Sequence, residues 1–157
     1  MSPVEEFAFL DPWHQVLPGR GVVAVAGSGG CTTAMLAMVR CWRERGQTVL
    51  VSQTTDHPVP FPLRDSVAGL DARSIRERLD ADGLATVVGR RTGDRFTGVD
   101  PEVLEELRQA ARPDVLLVQA QASAGSLLRT GPDRPVWPRA MGLAVLVAQV
   151  GVAGRLW

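Results

Sequence analysis

Apolar residues fall along this chain in two alternating rhythms. Short unbroken runs at Val22–Ala26, Thr48–Ser52, Leu84–Val88, Val115–Ala120 and Leu143–Val150 read as strands covered on both faces. Between them the apolar positions spread to helical spacing. Met35, Leu36, Val39 and Trp42 predict a helix over Thr32–Arg45, ended by Gly46. Asp71 or Ser74 opens a second helix that reaches Asp80 through Ile75 and Leu79. Asp100-Pro101-Glu102 joins a cap, a proline at the first helical position and an acid, and predicts a third helix to about Arg112. Residues 1–20 are expected to be an irregular or weakly helical lead-in, broken by Pro12, Pro18 and Gly19. Asp56–Pro62 is a proline-rich loop, residues 90–99 a hairpin or ordered loop, and Gln121–Pro138 a long loop of the kind that carries function. Strands alternating with helices predict one α/β domain over 1–157, with a mostly parallel sheet and right-handed crossovers.

The first strand runs into Gly27-Ser28-Gly29-Gly30-Cys31-Thr32-Thr33 and then directly into the first helix. Strand, glycine turn and helix in that order form a phosphate cradle. Glycines let backbone N–H groups converge on an anion, and the helix N-terminus adds partial positive charge. An intact loop of this kind places a Lys before the first Thr; here Cys31 stands in that place. From the residues alone, two readings stay open: a tight strand-to-helix turn, or a phosphate site without its main charge.

Composition sharpens that point. All 17 basic residues are Arg, so no distant lysine replaces the missing one. Formal net charge is zero, which gives no bulk attraction to nucleic acid or an acidic membrane surface. The longest apolar stretch, 140–154, is short and glycine-broken, unlike a membrane span. The N-terminus is acidic and lacks the layout of a secretory signal. Cys31 and Cys41 would lie roughly 15 Å apart along one helix, beyond disulfide reach. A reduced, cytoplasmic protein is the expectation.

Four segments in order carry a family likeness. Val25–Thr33 matches a loop of the type G-x-G-G-K-T-T. Val49–Asp56 matches a strand entering a threonine-rich stretch. Gly98–Leu104 matches a glycine followed by an Asp-Pro helix start. Asp114–Ser123 matches a strand ending in E-A-D-G-A, and Pro135-Val136-Trp137-Pro138 resembles a later P-V-I-P. On these segments the chain resembles the YqeC-like putative selenium-dependent hydroxylase accessory proteins, over about residues 20–157. The resemblance implies a three-layer P-loop NTPase-like α/β fold. It also implies nucleotide binding, with ATP or another nucleotide and Mg²⁺, and a role around maturation of a selenium-dependent molybdenum hydroxylase. Partners would be that hydroxylase or an intact relative. Members of the family usually continue further, so a shortened form is expected.

The departures point one way. Where the family has Lys, Glu and Asp, this chain has Cys31, Gln119 and Gln121. Lys would sit on the outer phosphates, and the acids would hold Mg²⁺ or orient a water. A degenerate nucleotide site with weak or absent cofactor binding and little or no hydrolysis is expected. Its lining would be Gly27, Ser28, Gly29, Gly30, Cys31, Thr32 and Thr33.

Other residues carry two readings each. Thr32 is a Mg²⁺ ligand or a helix cap. Cys31 is a thiol activated by the helix N-terminus, or a small neutral filler, the reading favoured without a partner base. Asp56 is a water or metal ligand, or a turn cap. Arg129 and Arg134 either swing over the phosphates to replace the missing charge or stay in solvent. His14 and His57 lie in different loops without metal-ligand spacing, and the four tryptophans read as packing residues, with Trp157 the one that could mark a partner surface.

Overall fold

The computed structural model describes residues 11–27, 29–121 and 134–148. Its centre is a sheet of five parallel strands: β1 (Gly21–Gly27), β2 (Val49–Gln53), β3 (Leu84–Thr86), β6 (Val115–Gln119) and β7 (Met141–Val147), in the order β3-β2-β6-β1-β7. A small antiparallel hairpin, β4 (Arg91–Thr92) with β5 (Arg95–Phe96), stands apart from it. The helices are α1 (Asp11–Val16), α2 (Cys31–Glu44), α3 (Ala72–Asp82) and α4 (Pro101–Ala111), with a 3₁₀ turn over Phe61–Ser66. This is the expected three-layer α/β arrangement.

Strand alternation builds the layers. On one face Val23, Val25, Val49, Val51, Val115 and Leu117 meet Met35, Met38, Val39 and Trp42 of α2. On the other, Val22, Leu50, Leu116 and Val118 meet Ile75 and Leu79 of α3 and Leu104 and Leu107 of α4. The Trp42 ring is fully buried, and its indole N–H donates to the Pro18 carbonyl at 2.8 Å. That bond ties the lead-in to α2, and within the segment expected to be irregular or weakly helical Asp11–Val16 forms the short helix α1. The predicted caps hold: Asp71 accepts from the Ser74 N–H at 2.8 Å and Asp100 from the Glu102 N–H at 2.7 Å.

Most element boundaries differ from the sequence reading by a residue or two, and three of the differences bear on the fold. Strand β3 stops at Thr86 and the fifth strand begins at Met141. Helix α2 begins one residue early, because Gly30 adopts φ 78° and starts the helix. A residue in that conformation turns the chain sharply, and glycine does so at no steric cost.

At the amino ends of the strands, Asp114 accepts from the Thr48 N–H at 2.9 Å and the Thr48 hydroxyl at 3.0 Å, with Arg20 3.4 Å away. These bonds, the backbone one first, hold its carboxyl below the usual carboxylate range. A lowered folded-state pKa stabilises above the unfolded value and loses that stabilisation as pH falls through the folded one. Asp114→Asn is therefore expected to cost stability at neutral pH, by an amount that shrinks as pH falls below the ordinary carboxylate range. Urea unfolding from pH 7 to pH 2.5 measures it, and a gap that does not narrow in acid would refute the linkage.

Candidate functional site

Strand β1 lies between β6 and β7, and the connections from β1 and β6 diverge. The chain leaves β1 toward β2, beyond β6, and leaves β6 toward β7, beyond β1. Adjacent strands whose connections part in opposite directions leave a crevice outside their carboxyl ends, where ligands of open α/β sheets bind. The glycine turn occupies that position. Val25 pairs with Gln119 in the ladder, and the Ala120 N–H donates to the Val25 carbonyl at 2.8 Å. Gly27, Gly29, Gly30 and Gln119 thus end up at one edge of the sheet, and Gln121 follows two residues beyond Gln119.

On its far side the turn is fixed by β7. A Cβ on Gly27 would lie 1.9 Å from the Val147 carbonyl oxygen, and Gly27 itself has φ 152°. Gly30 then caps α2 without any side-chain hydrogen bond to the first-turn N–H groups. A glycine cap satisfies none of the first-turn N–H groups with a side chain of its own. Thr32 and Thr33 follow inside the helix, so Gly30, not Thr32, is the cap. Ser28 lies outside the described residues.

Cys31 is buried among the α2-side core residues. Burial pushes its thiol up and outweighs the hydrogen bonds from the Gly29 and Cys31 N–H groups. Burial therefore favours the small neutral filler over the activated thiolate. Cys41 is likewise buried, and its thiol is raised by desolvation.

Gln119 and Gln121 are both buried, at 4% and 2% exposure. Gln119 faces the α2 side, beside Met35 and Gln53, around a void of only about 10 Å³. The space between Gln119 and Gln53 is thus too small for a ligand. Arg134 is exposed, two residues before Val136, whose N–H donates to the Ala120 carbonyl at 2.9 Å. That bond anchors the 135–138 segment to the end of β6. Arg129 lies outside the described residues.

The remaining candidates have structural partners. Asp56 accepts from the Gly98 N–H at 3.1 Å, the turn-capping role. His57 forms an isolated bridge with Phe96, and its Nδ1 is 2.8 Å from the Pro58 carbonyl. His14 sits 3.6 Å from Glu44, on the α1–α2 surface. Among the described residues no group of three His, Cys, Asp or Glu gathers to hold a metal.

One organising residue was not singled out in the sequence. Gln53 is buried at the end of β2, and its amide donates to the His57 carbonyl at 3.0 Å and the Phe96 carbonyl at 2.8 Å. It fastens the β4–β5 hairpin to the carboxyl edge. Its only sequence signal was a polar residue closing an apolar strand, directly before the threonine pair Thr54-Thr55.

With this geometry in place, comparison with known proteins becomes informative. The family model described as YqeC protein matches residues 23–157. The chain belongs to the YqeC family. No curated protein matches it. The match begins inside β1 and takes in the glycine turn, the β4–β5 hairpin and the end of β6. Among the described residues, no helix is long and apolar enough to cross a membrane.

The state of Cys31 gives a direct test. In the folded protein both thiols are expected to react with a charged thiol reagent at least tenfold more slowly than in urea, because only exposed thiolate reacts. Fast labelling of Cys31 near neutral pH would mean that the helix terminus dominates after all.

Proposed function

We propose that this YqeC-family chain is a nucleotide- or anion-binding accessory factor with little or no NTP hydrolysis. Its setting, on the family resemblance, is maturation of a selenium-dependent molybdenum hydroxylase. The observation that supports the reading is the glycine turn at the switch point between β1 and β6, where it opens a helix capped by glycine without a side-chain hydrogen bond. Backbone donors there fit an oxyanion. The donor set fits Mg²⁺ poorly: the positions beside the turn are amides, Gln119 and Gln121, and a hard cation takes carboxylate oxygens. Binding, orientation and retention of an anionic ligand are within reach of these groups. Polarising a phosphoryl oxygen or activating a water is not.

A second reading is a protein-interaction module on the same scaffold. It draws on β7, an edge strand with no charge or proline, on which Leu146 is 59% exposed. Such an edge is a template for strand pairing. A weak NTPase that recruits Arg129 or Arg134 is a third form of the site, and loss of turnover in Arg129→Ala or Arg134→Ala would identify it.

Titration with ATP, GTP and CTP, each with Mg²⁺, while following melting temperature separates the first two. Ligand that binds only the folded state raises the transition by mass action. A rise at millimolar nucleotide without phosphate release is the expected result, and no rise for any of the three favours the interaction module. The triple change Cys31→Lys, Gln119→Glu, Gln121→Asp tests the lost-charge argument. One restored charged hydrogen bond contributes about 1.5–3 kcal/mol, so affinity should rise roughly tenfold or more and become Mg²⁺-dependent. Because Cys31 is buried, the double change at Gln119 and Gln121 serves as a second variant. Unchanged affinity in both, with native melting, would refute the account.

A further inference from the structure

The β4–β5 hairpin carries charge that the fold does not use. Among the described residues, Arg20, Arg40, Arg73, Arg78, Arg108 and Arg139 each pair with a carboxylate. Arg90, Arg91 and Arg95, all exposed, do not. Arg43, Arg45 and Arg76 also lack a carboxylate but donate to carbonyls between helices or at helix ends, whereas Arg90, Arg91 and Arg95 stand together on one hairpin. The nearest acids are otherwise placed: the Asp56 carboxylate accepts from Gly98, and Asp94 sits exposed in the hairpin turn.

Register sorts these arginines. Arg91 pairs with Phe96 and Thr92 with Arg95, and Thr97 donates its N–H to the Arg90 carbonyl at 2.9 Å. Directly opposed residues share a face and successive ones alternate. Arg91 and Phe96 therefore lie on one face, where Phe96 packs partly buried against the core. Arg90, Thr92, Arg95 and Thr97 share the other. Diagonal neighbours on such a face are about 7–8 Å apart, so the Arg90 and Arg95 guanidinium groups can close on one oxyanion.

The platform is rigidly built. Besides the two Gln53 bonds, His57 and Phe96 exchange N–H···O bonds of 3.0 and 3.1 Å, the Arg90 N–H donates to the Thr97 hydroxyl at 2.9 Å, and Arg95 donates to the Asp56 carbonyl at 2.6 Å. Little apolar surface beyond Phe96 accounts for this construction. Two like charges on one face, without a carboxylate between them, cost stability unless an anion joins them.

We propose that the Arg90–Arg95 face of the hairpin is an oxyanion subsite, suited to a phosphate. It stands at the carboxyl edge beside the end of β2. Two strand spacings separate that end from β1, about 10 Å. The subsite therefore takes either the far anionic group of a ligand seated at the glycine turn or the phosphate of a separate molecule. Only the first source rests on the function proposed above.

The test is an NMR titration of the full chain with tripolyphosphate, and separately with ATP, at constant ionic strength. Backbone amides of residues 90–97 and the Arg Nε–H signals are followed. Arg90→Gln and Arg95→Gln are each expected to weaken tripolyphosphate binding about tenfold, the loss of one charged hydrogen bond. Arg91→Gln removes the same charge from the opposite face and should change it by less than about twofold on this geometry. If Arg95→Gln perturbs the fold through its lost bond to Asp56, Arg90→Gln decides.

Unmoved hairpin amides, equal weakening by Arg91→Gln, or binding no tighter than that of sulfate would overturn the subsite. Hairpin shifts without shifts at Gly29, Gly30 and Cys31 would support it and count against the glycine-turn ligand. Shifts at the glycine turn alone would do the reverse. With ATP, one dissociation constant for both regions indicates a single spanning ligand, and two indicate a separate anion; either supports the subsite.

Discussion

The close approach of β7 to the end of β1 is the constraint on which the carboxyl edge depends. Gly27 pairs with Val147, and no side chain fits between their backbones. The parallel ladder on that side, and the β6 ladder on the other, hold β1 to its last residue. Gly30 then turns the chain into α2 with a left-handed backbone. Position of the turn and direction of the helix both follow from these two glycines and the strand beside them. A loop held this way is preorganised: its donors are aimed before any ligand arrives, which lowers the entropic cost of binding.

Charge is distributed unlike structure. Where β2 and β6 end, and just beyond, the side chains are amides: Gln53, Gln119 and Gln121, all buried. A buried carboxylate needs a cation or several donors to remain ionised. A buried amide needs only hydrogen bonds, and Gln53 has found two. The interior of the edge is therefore stable without metal, and positive charge has moved outward, to the hairpin and to Arg134. An edge of this type has neutral donors at its centre and arginines at its rim, the arrangement on which the proposed anion binding rests.

Most of the fold was legible in the sequence because its strands are buried on both faces and its helices carry explicit caps. Val22–Ala26, Val49–Val51 and Val115–Val118 had to be strands, since continuous branched runs of that length suit little else. Asp71 and Asp100 announced two helix starts by chemistry alone. The fifth strand was placed too late because Met141, Gly142 and Ala144 are exposed on an edge strand and do not form a buried run. Edge strands answer to one neighbour instead of two, and their pattern is correspondingly weak. Gln53 went unnoticed for a related reason. Its role depends on a hairpin more than 40 residues away, and no local spacing encodes such a bond.

The glycine turn has structural reasons to persist that are independent of any ligand. Gly27 has a packing reason to persist, the Val147 backbone, and Gly30 has a conformational one. Either glycine would be required whether or not a phosphate ever binds. The retained glycines therefore speak for the fold, while the residues at the lysine and acid positions speak for the chemistry. Substituting those residues leaves both core clusters nearly intact, since Gln119 and Gln121 belong to neither and Cys31 is a small member of one. By the same logic, the residues that carry most information about ligand are charged groups with no packing role. Arg90 and Arg95 meet that description: their stems are exposed, and among the described residues no carboxylate neutralises them. An exposed pair of this kind at the carboxyl edge is what the proposed anion subsite would need.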